Sequence, residues 1–333
     1  MADLIAGVAG AAVILYALLG GADFGGGVWD LLARGPRRAD QRAAIAHAMG
    51  PVWEANHVWL IFVIVILFTA FPSVYAALSI ALFVPFHVVL LGIVLRGAAF
   101  VFRAYSRRAG AEVAAEERGW GVLFGAASII TPLLLGCCLA AVSTGRIRVA
   151  GDGITVEHNA AWLTPLALTT GLLALALCAY LAAVYLTNET KAELQEDFRG
   201  FALLAGTATV ALSAILLLLV RSSASHLWSG LTSTRALPVL IAGVVAALFA
   251  GWTLRHRRFR AARAAAVTQI SALLAGWMLA QYPYLIYPDV TVQSAAAPAA
   301  TLRFFVWTLP LGALVLLPSL WLLFRVFKRE ALT

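Results

Sequence analysis

The chain alternates long apolar blocks with short polar or charged interruptions. Nine blocks stand out, at approximately residues 4–32, 51–71, 74–103, 118–144, 160–187, 200–221, 236–254, 262–283 and 301–325. Each is about 20 residues or longer, the length of helix that crosses a hydrocarbon core of roughly 30 Å. Backbone polar groups in lipid must be satisfied by the protein itself, and these blocks are too long and too continuous for barrel strands. The pattern predicts an all-α, polytopic membrane bundle of nine transmembrane helices, forming a single transmembrane domain over residues 1–333.

Composition agrees. The chain is 62% hydrophobic and 12% charged, with a mean hydropathy of +0.90, whereas soluble domains are nearer half apolar and a quarter charged. The net charge of +8 would suit an acidic partner, but the placement of the basic residues points to topology instead. Counting residues at a span's edge with the adjoining connection, eighteen of the 24 Lys and Arg belong to the connections after spans 1, 3, 5 and 7 and the C-terminal tail and four to the other connections, while Arg96 and Arg303 lie inside spans. The positive-inside rule then places the N-terminus outside and the C-terminus in the cytoplasm. Nucleic acid is not an expected partner. The run Arg255-His256-Arg257-Arg258-Phe259-Arg260 reads as a topogenic patch near lipid headgroups. Met1-Ala2-Asp3-Leu4 lacks the basic region of a cleaved signal peptide, so the first block is expected to remain as a helix. Cys137, Cys138 and Cys178 lie in apolar runs without a C-x-x-C spacing and read as packing residues.

Polar groups inside these blocks are the candidates for chemistry, because such groups are costly at membrane depth and normally face the bundle interior. Span 1 carries Gly20-Gly21-Ala22-Asp23-Phe24-Gly25-Gly26-Gly27. Small residues four apart let a neighbouring helix approach closely, and Asp23 is either a hydrogen-bonded structural acid or part of a proton path. Spans 2 and 3 read as a hairpin pivoting at Phe71-Pro72-Ser73. Regular helices on either side would put His57 and His87 at one depth, roughly 22 Å from the turn. Glu54 lies one turn before His57 on the same face, with Trp53 and Asn56 beside them. Imidazole titrates near neutrality, so an acid, an amide and an imidazole within one turn can pass protons. The alternatives are a hydrogen-bonded structural set, or haem ligation by His57 or His87; packed helices about 8–10 Å apart leave little room for a haem between them. Arg96 either snorkels to lipid headgroups or pairs with a carboxylate or a lipid or quinone headgroup. The connection NETKAELQEDFRG reads as a solvated loop, and Tyr282, Tyr284 and Tyr287 as an interfacial belt. Pro310 and Pro318 are expected to kink span 9. A stand-alone proton-coupled transporter would use the same intramembrane groups, but no interruption in the second half matches the glycine-rich span 1.

Four stretches carry a resemblance. Gly50-Pro51-Val52-Trp53-Glu54-Ala55-Asn56-His57-Val58-Trp59-Leu60 resembles the G-P-V-W-D-G-N-E-x-W-L signature of subunit II of cytochrome bd-type quinol oxidases. Phe68-Thr69-Ala70-Phe71-Pro72-Ser73-Val74-Tyr75 is similar to that family's F-A-A-F-P-x-x-Y, and Arg96-Gly97-Ala98-Ala99-Phe100-Val101-Phe102-Arg103 to its R-G-V-A-F-E-F-R. Leu19 to Gly27 resembles L-D-G-F-D-L-G-V-G. The resemblance implies a complex in the bacterial or archaeal cytoplasmic membrane. In it a separate haem-bearing subunit I oxidises quinol and reduces oxygen to water, while this chain supports it as an accessory subunit of the oxidoreductase. A proton route through Glu54, His57 and Asp23, a structural quinone near Arg96, Trp53 and Asn56, and a small single-span subunit are further implications. Three family acids are replaced, by Gly20, His57 and Val101. The chain therefore reads as a divergent branch whose electron donor or acceptor could differ from quinol and oxygen.

Overall fold

Every apolar block but one is built on a single long helix, and the architecture follows from where the helices stop. The computed structural model describes residues 1–49, 53–109, 114–150, 153–156 and 161–329; side chains at 49, 53–55, 104–109, 114–118, 153–156, 324 and 326–329 are outside the description. The long helices are α1 (Ala2–Leu32), α3 (Trp53–Ala70), α5 (Phe83–Ala109), α6 (Ala114–Ala141), α7 (Pro165–Glu189), α8 (Ala192–Ser223), α10 (Leu237–Arg255), α11 (Phe259–Gln281) and α12 (Ala299–Arg329). Between them lie the shorter α2 (Arg38–Met49), α4 (Pro72–Ala81) and α9 (Ser225–Leu231). Two antiparallel hairpins complete the chain, β1 (Ile147–Ala150) with β2 (Gly153–Val156) and β3 (Tyr284–Ile286) with β4 (Val290–Thr291). Among the described residues eight helices are long and apolar enough to cross a membrane, and the bent pair α3–α4 brings the number to nine.

The expected hairpin at Pro72 needs correction. Proline starts α4, where its missing N–H is no loss, and the chain bends by 118° there. A second break at Leu82 separates α4 from α5, so residues 74–103 are two helices rather than one. His87 therefore lies one turn into α5, and the equal-depth relation with His57 does not hold. The stretch expected as the loop NETKAELQEDFRG is also largely helical: the chain turns at Ala192, whose φ is +53°, and α8 begins at once.

Contacts between connections sort the bundle into two ends. At one, Arg37 bonds Asp197 and Glu193, Arg257 pairs with Glu196, and Arg103 binds Asp30. At the other, Tyr287 N–H donates to the Val142 carbonyl at 3.0 Å and Ala297 N–H to the Ala70 carbonyl at 2.9 Å. There Asp3 accepts from Gln293 and Tyr282. The arginine-rich end gathers the connections that sequence assigns to the cytoplasm, and the hairpin end gathers the rest.

α1 runs through the middle and packs against α3, α6, α7 and α11. Its approach to α7 depends on Gly25, where a methyl group would overlap the Cys178 carbonyl and the Ala182 side chain. We expect Gly25→Val to destabilise the purified protein by about 1–3 kcal/mol or more, the usual cost of overpacking, measured as thermal unfolding in detergent. Gly7, with open space around it, is the control position and should tolerate Val.

At the hairpin end Asp289 accepts from Arg148 at 2.8 and 2.9 Å and from the Val149 N–H at 2.8 Å. The bond from Arg148 holds its carboxyl below the usual carboxylate range. A lowered folded-state pKa means the folded form binds fewer protons than the unfolded one. The contribution is therefore full above the ordinary carboxylate range and is lost as pH falls through the lowered value. The protection of the Val149 amide against hydrogen exchange, taken relative to the intrinsic rate at each pH, should fall in that acid window, and Asp289→Asn should show the lower protection already at neutral pH.

Candidate functional site

Tyr16, Asp23 and Asp30 recur on α1 at intervals of seven residues, two turns and about 10.5 Å apart, and so share one stripe. All three are buried. α5 carries Arg96 and Arg103 at the same interval, and it runs towards the arginine-rich end alongside α1. The two series meet in register: the bonds from Arg96 to Asp23 and from Arg103 to Asp30 each span 73 positions.

The lower contact is an ion pair. Arg103 grips Asp30 with two bonds, 2.7 Å from Nη1 and 3.0 Å from Nη2, while Arg42 of α2 donates to the Asp30 backbone carbonyl at 3.1 Å. The upper contact is different. Arg96 Nη2 donates to the backbone carbonyl of Asp23 at 2.8 Å, and its Nε donates to Ser128 Oγ at 3.2 Å. Ser128 Oγ in turn donates a hydrogen bond to the Phe124 carbonyl at 2.7 Å. Phe24 and Phe124 lie 5.1 and 4.9 Å from the guanidinium carbon. Arg96 is thus held by dipoles and two aromatic rings, a desolvated cation–π arrangement worth about 2 kcal/mol. At 2% exposure it does not snorkel, which corrects the headgroup reading.

α3 runs antiparallel to α1 and adds two rungs. The Asn56 amide donates to the free carboxylate of Asp23. One residue on, His57 Nδ1 lies 3.5 Å from the Tyr16 hydroxyl, and the imidazole edge packs on Phe24. Asp23, Asn56, His57, Arg96, Ser128 and Tyr16 therefore form one buried polar centre between α1, α3, α5 and α6. A carboxylate, an imidazole and a phenol stacked along one helix interface can hold and hand on a proton while lipid is kept away.

The sequence-expected residues fare unequally. Asp23, Asn56, His57 and Arg96 converge. Trp53 and Glu54 occupy the first turn of α3, with side chains outside the described residues. His87 is elsewhere: it is exposed on α5, its Nδ1 bonded to the Phe83 carbonyl at 2.7 Å and its ring 4.0 Å from the Phe83 ring. His57 and His87 face different neighbours and do not fit a haem held between them. No three His, Cys, Asp or Glu side chains converge among the described residues. Asp30, Arg103, Ser128 and Tyr16 were missed, though the seven-residue recurrence on two helices was there to be read.

Comparison with known proteins now bears on this centre. The family described as "Cytochrome bd terminal oxidase subunit II" matches residues 1–327. A Bacillus subtilis (strain 168) chain provisionally named cytochrome bd menaquinol oxidase subunit II is 24% identical over 331 residues, 96% of this chain and 93% of its own length. The cytochrome bd-I ubiquinol oxidase subunit 2 of Escherichia coli (strain K12) is 27% identical over 210 residues, 60% of this chain and 52% of its own. In fold the chain is similar to a chain of the bd oxidase from Geobacillus thermodenitrificans, with a TM-score of 0.81, 22% identity and 98% coverage of each. The glycine-rich α1, the α3 signature and the paired arginines of α5 thus sit in a matched multi-pass cytoplasmic-membrane architecture, and the chain belongs to the cytochrome bd terminal oxidase subunit II family.

Proposed function

We propose that this chain supports a haem-bearing subunit I that oxidises quinol and reduces oxygen to water, and that its buried polar centre carries protons. The family match over residues 1–327 supports the first part. The single observation behind the second is the pair of rungs joining α1 to α3, Asn56 with Asp23 and His57 with Tyr16. Glu54 lies one turn nearer the arginine-rich end, the cytoplasmic side by the charge bias, and is the entry group. Asp23 and His57 are the next stations. Haem belongs to the partner in this reading, and no step in this chain passes through it. The partner has an available face: from Val306 to Leu323 α12 has no buried side chain, Phe304 and Trp307 are 72% and 79% exposed, and the helix adjoins the exposed apolar side of α3. A small single-span subunit and a structural quinone are compatible additions without a residue of their own here.

The complex should be purified through a tag on this chain, its reduced-minus-oxidised spectrum recorded and its co-purifying chains identified by mass spectrometry. Haem bands together with a second polytopic subunit are expected; a colourless, partnerless preparation would instead favour a stand-alone transporter. In that complex Glu54→Ala and Asp23→Asn should slow turnover by about a hundredfold, the lower end of what a lost proton-transfer group costs, with haem content unchanged. Wild-type turnover in both variants would remove the proton route and leave the supporting role.

A further inference from the structure

The turn between α10 and α11 carries positive charge that the protein itself leaves largely unanswered. Arg255, Arg257, Arg258 and Arg260 are all exposed. Arg257 sits at φ +56°, a left-handed conformation that normally favours glycine because a Cβ is strained there. Its Nε reaches Glu196 Oε1 at 3.1 Å, so this side chain anchors the turn to α8. Glu196 is already shared with Arg199. Among the described residues no carboxylate pairs with Arg255, Arg258 or Arg260.

What these arginines do adjoin is an aromatic shelf. The Arg258 guanidinium lies 5.2 Å from the Trp252 ring centre. The His256 ring packs on the same indole at 4.5 Å, and Phe249 stacks beneath it at 5.8 Å. Below the shelf α10 presents Ile241, Val244, Val245 and Leu248, each more than half exposed, to the hydrocarbon. From the tip of the turn downward the order is guanidinium, indole, then branched aliphatics. That is the order phosphate, glycerol, acyl chain of a phospholipid.

We propose that this turn holds an anionic phospholipid, its phosphate among Arg255, Arg258 and Arg260, its glycerol beside Trp252 and its chains along α10. A zwitterionic lipid brings no net charge to balance the three guanidiniums. The assignment is independent of the oxidase reading, because its readout is bound lipid and not turnover. The full-length protein, purified in mild detergent with whatever subunits accompany it, should be titrated with phosphatidylglycerol and with phosphatidylcholine and examined by native mass spectrometry. Phosphatidylglycerol should be retained in preference. Each Arg→Gln change at 255, 258 or 260 should weaken its retention roughly fivefold, the usual effect of one basic residue at an anionic surface. The triple variant should lose it by on the order of a hundredfold, with phosphatidylcholine retention unmoved. Equal retention by wild type and triple variant, or no preference between the lipids, would overturn the proposal. Because these arginines also orient the chain, Trp252→Leu combined with Arg258→Gln keeps three basic residues at the turn. It decides by the same criterion should the triple variant fail to insert.

Discussion

The bundle depends on how closely α1 approaches α7. Within a bilayer, lipid tails are as apolar as leucine, so helices associate through packing and hydrogen bonds rather than through escape from water. Gly25 lets the backbone of α1 rest on the Cys178 carbonyl of α7, and Trp29 reinforces the seam by donating its indole N–H to the Ala179 carbonyl at 2.7 Å. This contact fixes the rotation of α1. Its stripe of Tyr16, Asp23 and Asp30 consequently turns to α3 and α5 and not to lipid.

Two ways of keeping an arginine in hydrocarbon appear side by side on α5. Arg103 has a full counter-charge, and its planar fork matches the Asp30 carboxylate bond for bond. Among the described residues no carboxylate bonds Arg96; a backbone carbonyl, a serine and two phenyl rings stand in. A lysine could reproduce neither, since it lacks both the fork and the flat face. The difference leaves the Asp23 carboxylate bonded by a neutral amide, beside a fixed positive charge but not locked to it.

Much of this was legible beforehand. Long apolar blocks predict nine spans where eight helices, or nine with the bent pair α3–α4, are long and apolar enough to cross, and the skewed arginines separate the two ends that the loop contacts group. Asp23, Asn56, His57 and Arg96 were singled out because each is a polar residue where lipid should be. Failures came where a local cue was passed over or was read without tertiary partners. The break at Leu82 has a local cause in Pro85, which cannot donate to the Ala81 carbonyl one turn back; reading the apolar run as continuous past it joins α4 to α5 and matches His87 to His57. Arg96 looked able to snorkel because its distance from the span's end was visible while the rings of Phe24 and Phe124 were not. Asp30 was overlooked as a boundary residue, although its spacing from Asp23 repeats that of Arg103 from Arg96.

The burial of Arg96 bears on how the chain holds together. On a lone helix near mid-membrane an arginine costs about 2.5–3.5 kcal/mol on insertion scales, and its shelter here comes from α1 and α6. α6 is the next segment to be synthesised, and it brings Ser128 and Phe124. The shelter of this one cation is therefore complete only when α5, α6 and α1 are together, so a single arginine ties helices from three separate stretches of the chain into one packing unit.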